Sequence, residues 1–195
     1  MAKEIILASA SPRRKELMEQ IGLEFTIRTE EVEEIYYSIL PEDIVKELAL
    51  LKAKAVVESM DESERAGKIV IGADTVVAMD GRILGKPKDW QNAIDMLTSL
   101  QGRAHQVFTG VSIISCGEEG AMSILNHAEE TKVFVHKMTD QEIREYILTG
   151  EPMDKAGAYG IQGRFAAYIE KIEGDYFNVV GLPVAHVYQS LKKFK

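Results

Sequence analysis

His105-Gln106-Val107-Phe108-Thr109-Gly110-Val111-Ser112-Ile113-Ile114-Ser115 is a long strand-like stretch, and residues 121–136 form a second one directly behind it. Gly117-Glu118-Glu119-Gly120 joins them. A doubly wound sheet alternates buried strands with crossover helices. Two long strands in succession point instead to an extended, partly antiparallel sheet.

The flanking segments add helices to that sheet. Residues 4–8 read as a buried strand, and 12–21 as a helix with Leu17, Met18 and Ile21 inward, stopped by Gly22. Residues 24–28 alternate like a strand, and the acidic run Glu30-Glu31-Val32-Glu33-Glu34 reads as a solvated loop. Pro41 opens a helix to about residue 59, with Ile44, Leu48, Leu51 and Ala55 on one face. Residues 68–73 form a strongly apolar strand that ends at Asp74-Thr75, and the apolar run resumes over Val76–Met79. Asp80-Gly81 is a hairpin turn signal leading back through Ile83-Leu84 to Gly85-Lys86-Pro87. Asp89 caps a helix that buries Ala93, Ile94, Leu97 and Leu100 and stops near Gly102. Thr139 and Glu142 have capping-box spacing, opening a helix with Ile143, Tyr146 and Ile147 inward, stopped by Gly150. Residues 151–164 read as a loop in which Gly157, Gly160 and Gly163 let backbone approach a ligand. A strand-like stretch over 165–172 follows, and Gly181-Leu182-Pro183 leads into a last helix. The expectation is one mixed α/β domain over residues 1–195.

Composition narrows the function. The chain has 195 residues and a hydrophobic fraction of 46%, enough for one sizeable core. A net charge of −8 disfavours a general nucleic-acid binder, while local positive charge can still hold a small polyanion. The single cysteine, Cys116, has no partner for an intramolecular disulfide, which fits a reducing cytoplasm. It reads as a small strand-end residue rather than a nucleophile, having no base beside it in sequence. No apolar run reaches the length of a membrane span, and Ile5–Ala8 is too short for a signal peptide.

The chemistry gathers at element ends. Ala8-Ser9-Ala10-Ser11-Pro12-Arg13-Arg14 lies where the first strand hands over to the first helix. Ser11 can cap that helix and Pro12 suits its first position. Backbone N–H groups, two hydroxyls and two guanidinium groups there make a place to hold phosphate. Asp74 is either a turn aspartate or a carboxylate that binds a divalent metal or takes a proton from water. Lys86 in its tight turn and Lys155 beside the Gly-rich loop are candidate phosphate ligands. Lys52 either snorkels to water from its apolar helix or points its charge into a cleft. Glu33 and Glu34 offer further carboxylate to a metal, and Gln162 has the donor and acceptor to read a base edge. Known nucleotide motifs are absent. Gly81–Lys86 is too short for a P-loop, with Pro87 in place of the Ser or Thr that would bind magnesium, and His105, His127, His136 and His186 lack zinc-ligand spacing. The set reads as metal-assisted hydrolysis of a phosphate ester or phosphoanhydride.

Seven segments then resemble one family in order. They are Ser9–Arg14, Leu48-Ala49 with Lys52-Ala53, Ala73–Val77, Gly85–Pro87, His105–Gly110, Asp154–Gly163 and Val179–Pro183. They resemble the Maf family of nucleoside triphosphate pyrophosphatases, and the loop Asp-Lys-Ala-Gly-Ala-Tyr-Gly-Ile-Gln-Gly resembles its dTTP/UTP-cleaving branch. The resemblance implies a two-lobed α/β fold similar to the inosine triphosphate pyrophosphatases, with nucleotide in a central cleft. It implies release of pyrophosphate from a nucleoside triphosphate with a divalent cation, Mg²⁺ or Mn²⁺. By motif, Asp74 matches the catalytic proton acceptor. Arg13, Thr75 and Gln162 match selectivity positions, and Arg14, Lys52, Lys86 and Lys155 match cations near the phosphates. Ser9 and Ser11 complete the substrate-binding loop. The family often has Asp-Glu where this chain has Glu33-Glu34, which favours Glu34 with Asp74 as metal ligands.

Two rival readings stand beside this one: a pyrophosphatase for modified nucleotides, and a nucleotide-sensing regulator of septum formation with little turnover. A carboxylate at Asp74 argues for turnover, because a pure triphosphate binder gains nothing from negative charge beside phosphates without a metal. Exposed apolar surface is compatible with a homodimer.

Overall fold

The computed structural model describes residues 3–117 and 120–194; the Glu118-Glu119 connector lies outside them. Among the described residues, seven strands form one mixed sheet in the order β2-β1-β3-β5-β6-β7, with β4 paired to β3. The strands are β1 (Glu4–Leu7), β2 (Thr26–Ile27), β3 (Lys68–Met79), β4 (Arg82–Leu84), β5 (Ala104–Cys116), β6 (Met122–Val135) and β7 (Ile169–Glu173). β1 runs parallel to β2 and β3, whereas β3–β4 and β6–β7 are antiparallel. The helices are α1 (Pro12–Gln20), α2 (Pro41–Glu58), α3 (Glu62–Arg65), α4 (Trp90–Leu100), α5 (Asp140–Ile147), α6 (Tyr176–Val180) and α7 (Val184–Leu191). The chain divides into two compact units, one of Met1–Asp74, Thr109–Glu129 and Gly181–Lys195, the other of Thr75–Phe108 and Glu130–Val180.

In the first unit, α2 is seated against β3 and β5 by the absence of side chains. A Cβ on Gly72 would collide with the carbonyl oxygen of Ala49, and one on Gly110 with that of Val45. The helix therefore lies with its backbone close to the sheet. Its buried face is Ile44, Val45, Leu48, Ala49, Ala53, Val56 and Val57. Leu51 and Ala55, expected inward, lie half-buried at its flank because the close approach selects the alanine side. Ile6, Ala8, Val70, Ile114 and Cys116 complete this core. Cys116 is buried in this core, and burial pushes its thiol up.

In the second unit, α4 packs against α5. Ala93, Met96, Leu97 and Leu100 face in, with Met96 taking the place expected for the half-buried Ile94. The Asp89 cap and the Thr139–Glu142 capping box form as their spacing predicts. The β3–β4 turn has Asp80 at φ 50° and Gly81 at φ 72°, the left-handed pair that a two-residue hairpin requires.

Three expectations are corrected. Apolar strand β3 does not stop at Asp74 but continues unbroken to Met79, so Asp74 lies inside a strand. The Val76–Met79 run pairs with β4 and so extends the same strand. Residues 165–172 are not one strand: Arg164–Tyr168 turn as a 3₁₀ helix around the buried Phe165 before β7 begins at Ile169. Residues 24–28 shorten to the two-residue β2.

Candidate active site

The first unit gathers charge beyond the C-terminal end of β1. Ala8 N–H donates to the Ile71 carbonyl at 2.8 Å, carrying the β1–β3 pairing one residue past the strand. This holds the next residues over β3. The buried Ser9 hydroxyl oxygen accepts from Ser11 N–H at 3.3 Å and from Arg14 Nη1 at 3.1 Å. Arg14 Nε donates to the Gly181 carbonyl at 2.8 Å. Arg14 is thus clamped at two points of its fork, a use of Gly181 that no local pattern announces. Ser11 occupies the N-cap position of α1 but makes no side-chain capping bond, contrary to expectation. Its backbone N–H turns to Ser9, and the first turn of α1 keeps its N–H groups uncapped by that side chain.

Opposed charges surround this clamp. Burial pulls the Arg14 pKa down and Arg13 adds to the depression, while Asp74 and Glu34 push it back up. The guanidinium remains charged nonetheless. Lys52, projecting from α2 beside the Ala49–Ala53 seat, donates from Nζ to Asp74 Oδ1 at 2.6 Å and lies 2.7 Å from Glu34 Oε1. Asp74 is 8% exposed, so its carboxylate is compensated by a helix packed on its own strand. Glu34, not Glu33, meets the lysine. The acidic loop is tied back to α2: Tyr37 N–H donates to Glu47 Oε2 at 2.9 Å, and the Ser38 hydroxyl donates to Oε1. Glu47 carries no sequence signal for that role.

The carboxylates of Asp74 and Glu34 are oxygen donors of the kind a divalent ion takes. Among the described residues no group of three His, Cys, Asp or Glu side chains is arranged to hold a metal alone. Two carboxylates from different elements nevertheless converge on one cationic nitrogen. Mg²⁺ is commonly held by one or two carboxylates, the rest of its shell being water and phosphate oxygen.

The second unit holds the remaining candidates. Thr75 is half-buried in β3 next to Asp74, on the opposite face by strand alternation. Lys86 is exposed in the turn after β4, and that turn is joined to the Gly-rich loop by Gly157 N–H donating to the Gly85 carbonyl at 3.1 Å. Lys155 turns back on its own loop, donating to the Glu151 carbonyl at 2.7 Å and to Asp154 Oδ1 at 2.6 Å. Gln162 is exposed.

Protein atoms fill the space that the glycines of this loop leave. A Cβ on Gly157 would come within 2.8 Å of Val77, and one on Gly160 within 2.7 Å of the Lys155 stem. One on Gly163 would collide with the Glu151 carboxylate. The missing side chains are replaced by the protein itself, which compacts the loop. Beneath it, the buried His105 pairs through Nε2 with Tyr159 OH at 2.8 Å. His127 and His186 stack at 3.7 Å.

Residues 4–194 match the family described as Maf-like protein. The chain belongs to that family. The Maf-like chain is 47% identical to the dTTP/UTP pyrophosphatase of Lachnoclostridium phytofermentans, over 98% of its own length and 95% of the relative's. It is 50% identical to the dTTP/UTP pyrophosphatase of Dictyoglomus turgidum, over 100% and 97%. Among solved structures, the Staphylococcus aureus Ham1 protein matches with a TM-score of 0.51 at 15% identity, covering 99% of this Maf-like chain and 100% of that one. That likeness speaks for the fold alone.

Proposed function

We propose that this chain hydrolyses nucleoside triphosphates, dTTP and UTP above all, to the monophosphate and pyrophosphate. The observation that carries the proposal is Lys52 shared between Asp74 and Glu34 in the electrostatic field of Arg14. Phosphate-binding cations need no carboxylates beside them unless a proton or a second cation has to be handled. The names of the relatives support the substrate class.

The roles follow from the chemistry. Ser9, Ser11, Arg13 and Arg14 hold phosphate oxygens, with the N–H groups of α1 adding partial positive charge. Lys52, Lys86 and Lys155 neutralise the remainder. Lys52 occupies Oδ1 of Asp74, which leaves Oδ2 to accept the proton of the attacking water. The water oxygen bonds to the α-phosphorus, the bond to the bridging oxygen breaks, and pyrophosphate leaves with that electron pair. Thr75 and Gln162 select the base, Gln162 through its amide donor and acceptor. A divalent cation held by Glu34 and Asp74, Mg²⁺ or Mn²⁺, supplies charge neutralisation when bound. Positioning and electrostatics account for most of the acceleration, since phosphoryl transfer needs little covalent help.

The deciding experiment is pyrophosphate release from dTTP and UTP with and without Mg²⁺, alongside a panel of purine and modified pyrimidine triphosphates compared by kcat/KM. Absence of metal-dependent release from every triphosphate sinks the proposal and returns the regulatory reading. We also place the protein in the cytoplasm, which its buried free thiol supports. No helix among the described residues is long and apolar enough to cross a membrane. A homodimer is the assembly we propose. Its support is the exposed apolar group Ile35, Tyr36, Tyr37, Ile39 and Leu40, with Tyr37 89% and Ile39 91% exposed, and a monomeric mass in light scattering removes it.

A further inference from the structure

The loop that carries Gln162 is closed by one carboxylate. Glu151 Oε1 accepts from the Tyr146 hydroxyl at 2.8 Å, and Glu151 Oε2 accepts from Arg164 N–H at 3.0 Å. The Tyr146 oxygen in turn accepts from Gly160 N–H at 3.2 Å. The backbone before Ile161-Gln162 and the backbone after it are therefore both tied to the same acid. Gly163, whose missing side chain makes room for that carboxylate, lies between them. Ile161 is buried and pins the segment from below, while Gln162 faces outward. The underside is rigid: Phe165 packs on Tyr146 at 5.1 Å and on Tyr159 at 4.7 Å. Burial and the adjacent carboxylate raise the Tyr146 pKa, so its phenol stays protonated and keeps donating to Glu151.

We propose that Glu151 is a positioning residue for base selection. Through Tyr146 and the N–H groups of Gly160 and Arg164 it fixes residues 160–164 in one conformation, so that the Gln162 amide meets the base with a single donor–acceptor register. A buried or loop acid at this place is not needed to hold phosphate, and its negative charge would oppose that task. Its carboxylate meets the Tyr146 hydroxyl of α5 and the loop itself. The inference rests on the reading of Gln162 as the base-reading residue.

The test is a double-mutant cycle of Glu151→Gln and Gln162→Ala, read as the ratio of kcat/KM for UTP to that for ATP. Glutamine keeps the size of the acid but offers only one acceptor oxygen where two are used. Gln162→Ala is expected to lower the ratio by about tenfold or more, because a site built to hydrogen-bond its substrate loses discrimination when the partner goes. Glu151→Gln is expected to lower it comparably, mainly through KM, with kcat for UTP held within about threefold. In the Gln162→Ala background it is expected to change the ratio by less than about twofold. An unchanged ratio in Glu151→Gln, with Gln162→Ala impaired, overturns the positioning role. So does an equal loss of kcat on both nucleotides that is additive with Gln162→Ala. An unchanged ratio in Gln162→Ala overturns the reading of Gln162, and the proposal with it. Tyr146→Phe removes only one hydroxyl and is expected to lower the ratio in the same direction. It keeps the proposal falsifiable if Glu151→Gln does not fold, since an unchanged ratio in folded Tyr146→Phe also overturns it.

Discussion

Asp74, Lys52 and Arg14 each owe their proposed role to a partner distant in the chain. Asp74→Asn keeps the shape and the Lys52 contact but removes the proton acceptor. It is expected to lower kcat by about 10²–10⁴-fold while calorimetric dTTP binding stays within a few-fold of the parent. Arg14→Lys is expected to raise KM by about tenfold in pyrophosphate-release assays, because one ammonium cannot reach both the Gly181 carbonyl and Ser9 as the planar fork does. His105 gives a pH signature in stability. Burial lowers its pKa to about 4 from the ordinary 6.5, so its neutral form is favoured in the folded state. The unfolded chain takes up its proton first as pH falls. Stability is therefore fully present above pH 6.5, declines between 6.5 and about 4, and has lost this contribution below that, a span of about 3 kcal/mol. Denaturation midpoints of His105→Gln measured across that range are expected to show a flatter decline than the parent. The types of these residues and their grouping were legible in the motifs. Their pairings were not: Gly181 offers Arg14 only a carbonyl, which every residue has, and Glu47 looks like any helix-surface acid until it is seen holding Tyr37 and Ser38.

Among the elements, most local punctuation is legible in the sequence, the Ser11 cap being the exception. The Asp89 cap, the Thr139–Glu142 box, the Asp80-Gly81 turn and the Gly22 and Gly150 stops act within a few residues of themselves, so the sequence carries them directly. Packing decides the elements that local signals leave open. β3 runs through Asp74 because Lys52 from α2 compensates the charge and β4 pairs with the far half. The Gly-rich loop looked open because glycines signal freedom, whereas here Val77, Lys155 and Glu151 fill the vacated space. The seating of α2 gives an element-scale prediction. Gly110→Ala places a methyl against the Val45 carbonyl and is expected to destabilise by about 1–3 kcal/mol in chemical denaturation, with a larger proportional loss of activity as Lys52 shifts from Asp74. Gly22→Ala, where no neighbour lies within 4 Å, should cost stability through its backbone conformation alone and leave kcat unchanged.

For the whole molecule, the charge balance frames how metal enters. The chain carries −8 overall, yet Arg13 adds positive charge beside Arg14. No described cluster of three metal-ligating side chains exists to bind an ion structurally. Chelation is thus expected to stop pyrophosphate release while leaving the melting temperature of the nucleotide-free protein unchanged, which differential scanning calorimetry checks. A chelator-induced fall in that temperature contradicts a substrate-shared ion. Periodicity, caps, turn pairs and ordered motifs were enough to establish the mixed α/β class, nearly all of its elements, the family and the cast of charged residues, because such signals act over a few positions of chain. Which charges meet is another matter. Lys52 joins Asp74 and Glu34, Arg14 reaches Gly181, and Glu151 spans the loop from Tyr146 to Arg164 through contacts that folding creates between remote segments. Burial and close backbone approach choose those partners, and neither is written in any local run of residues.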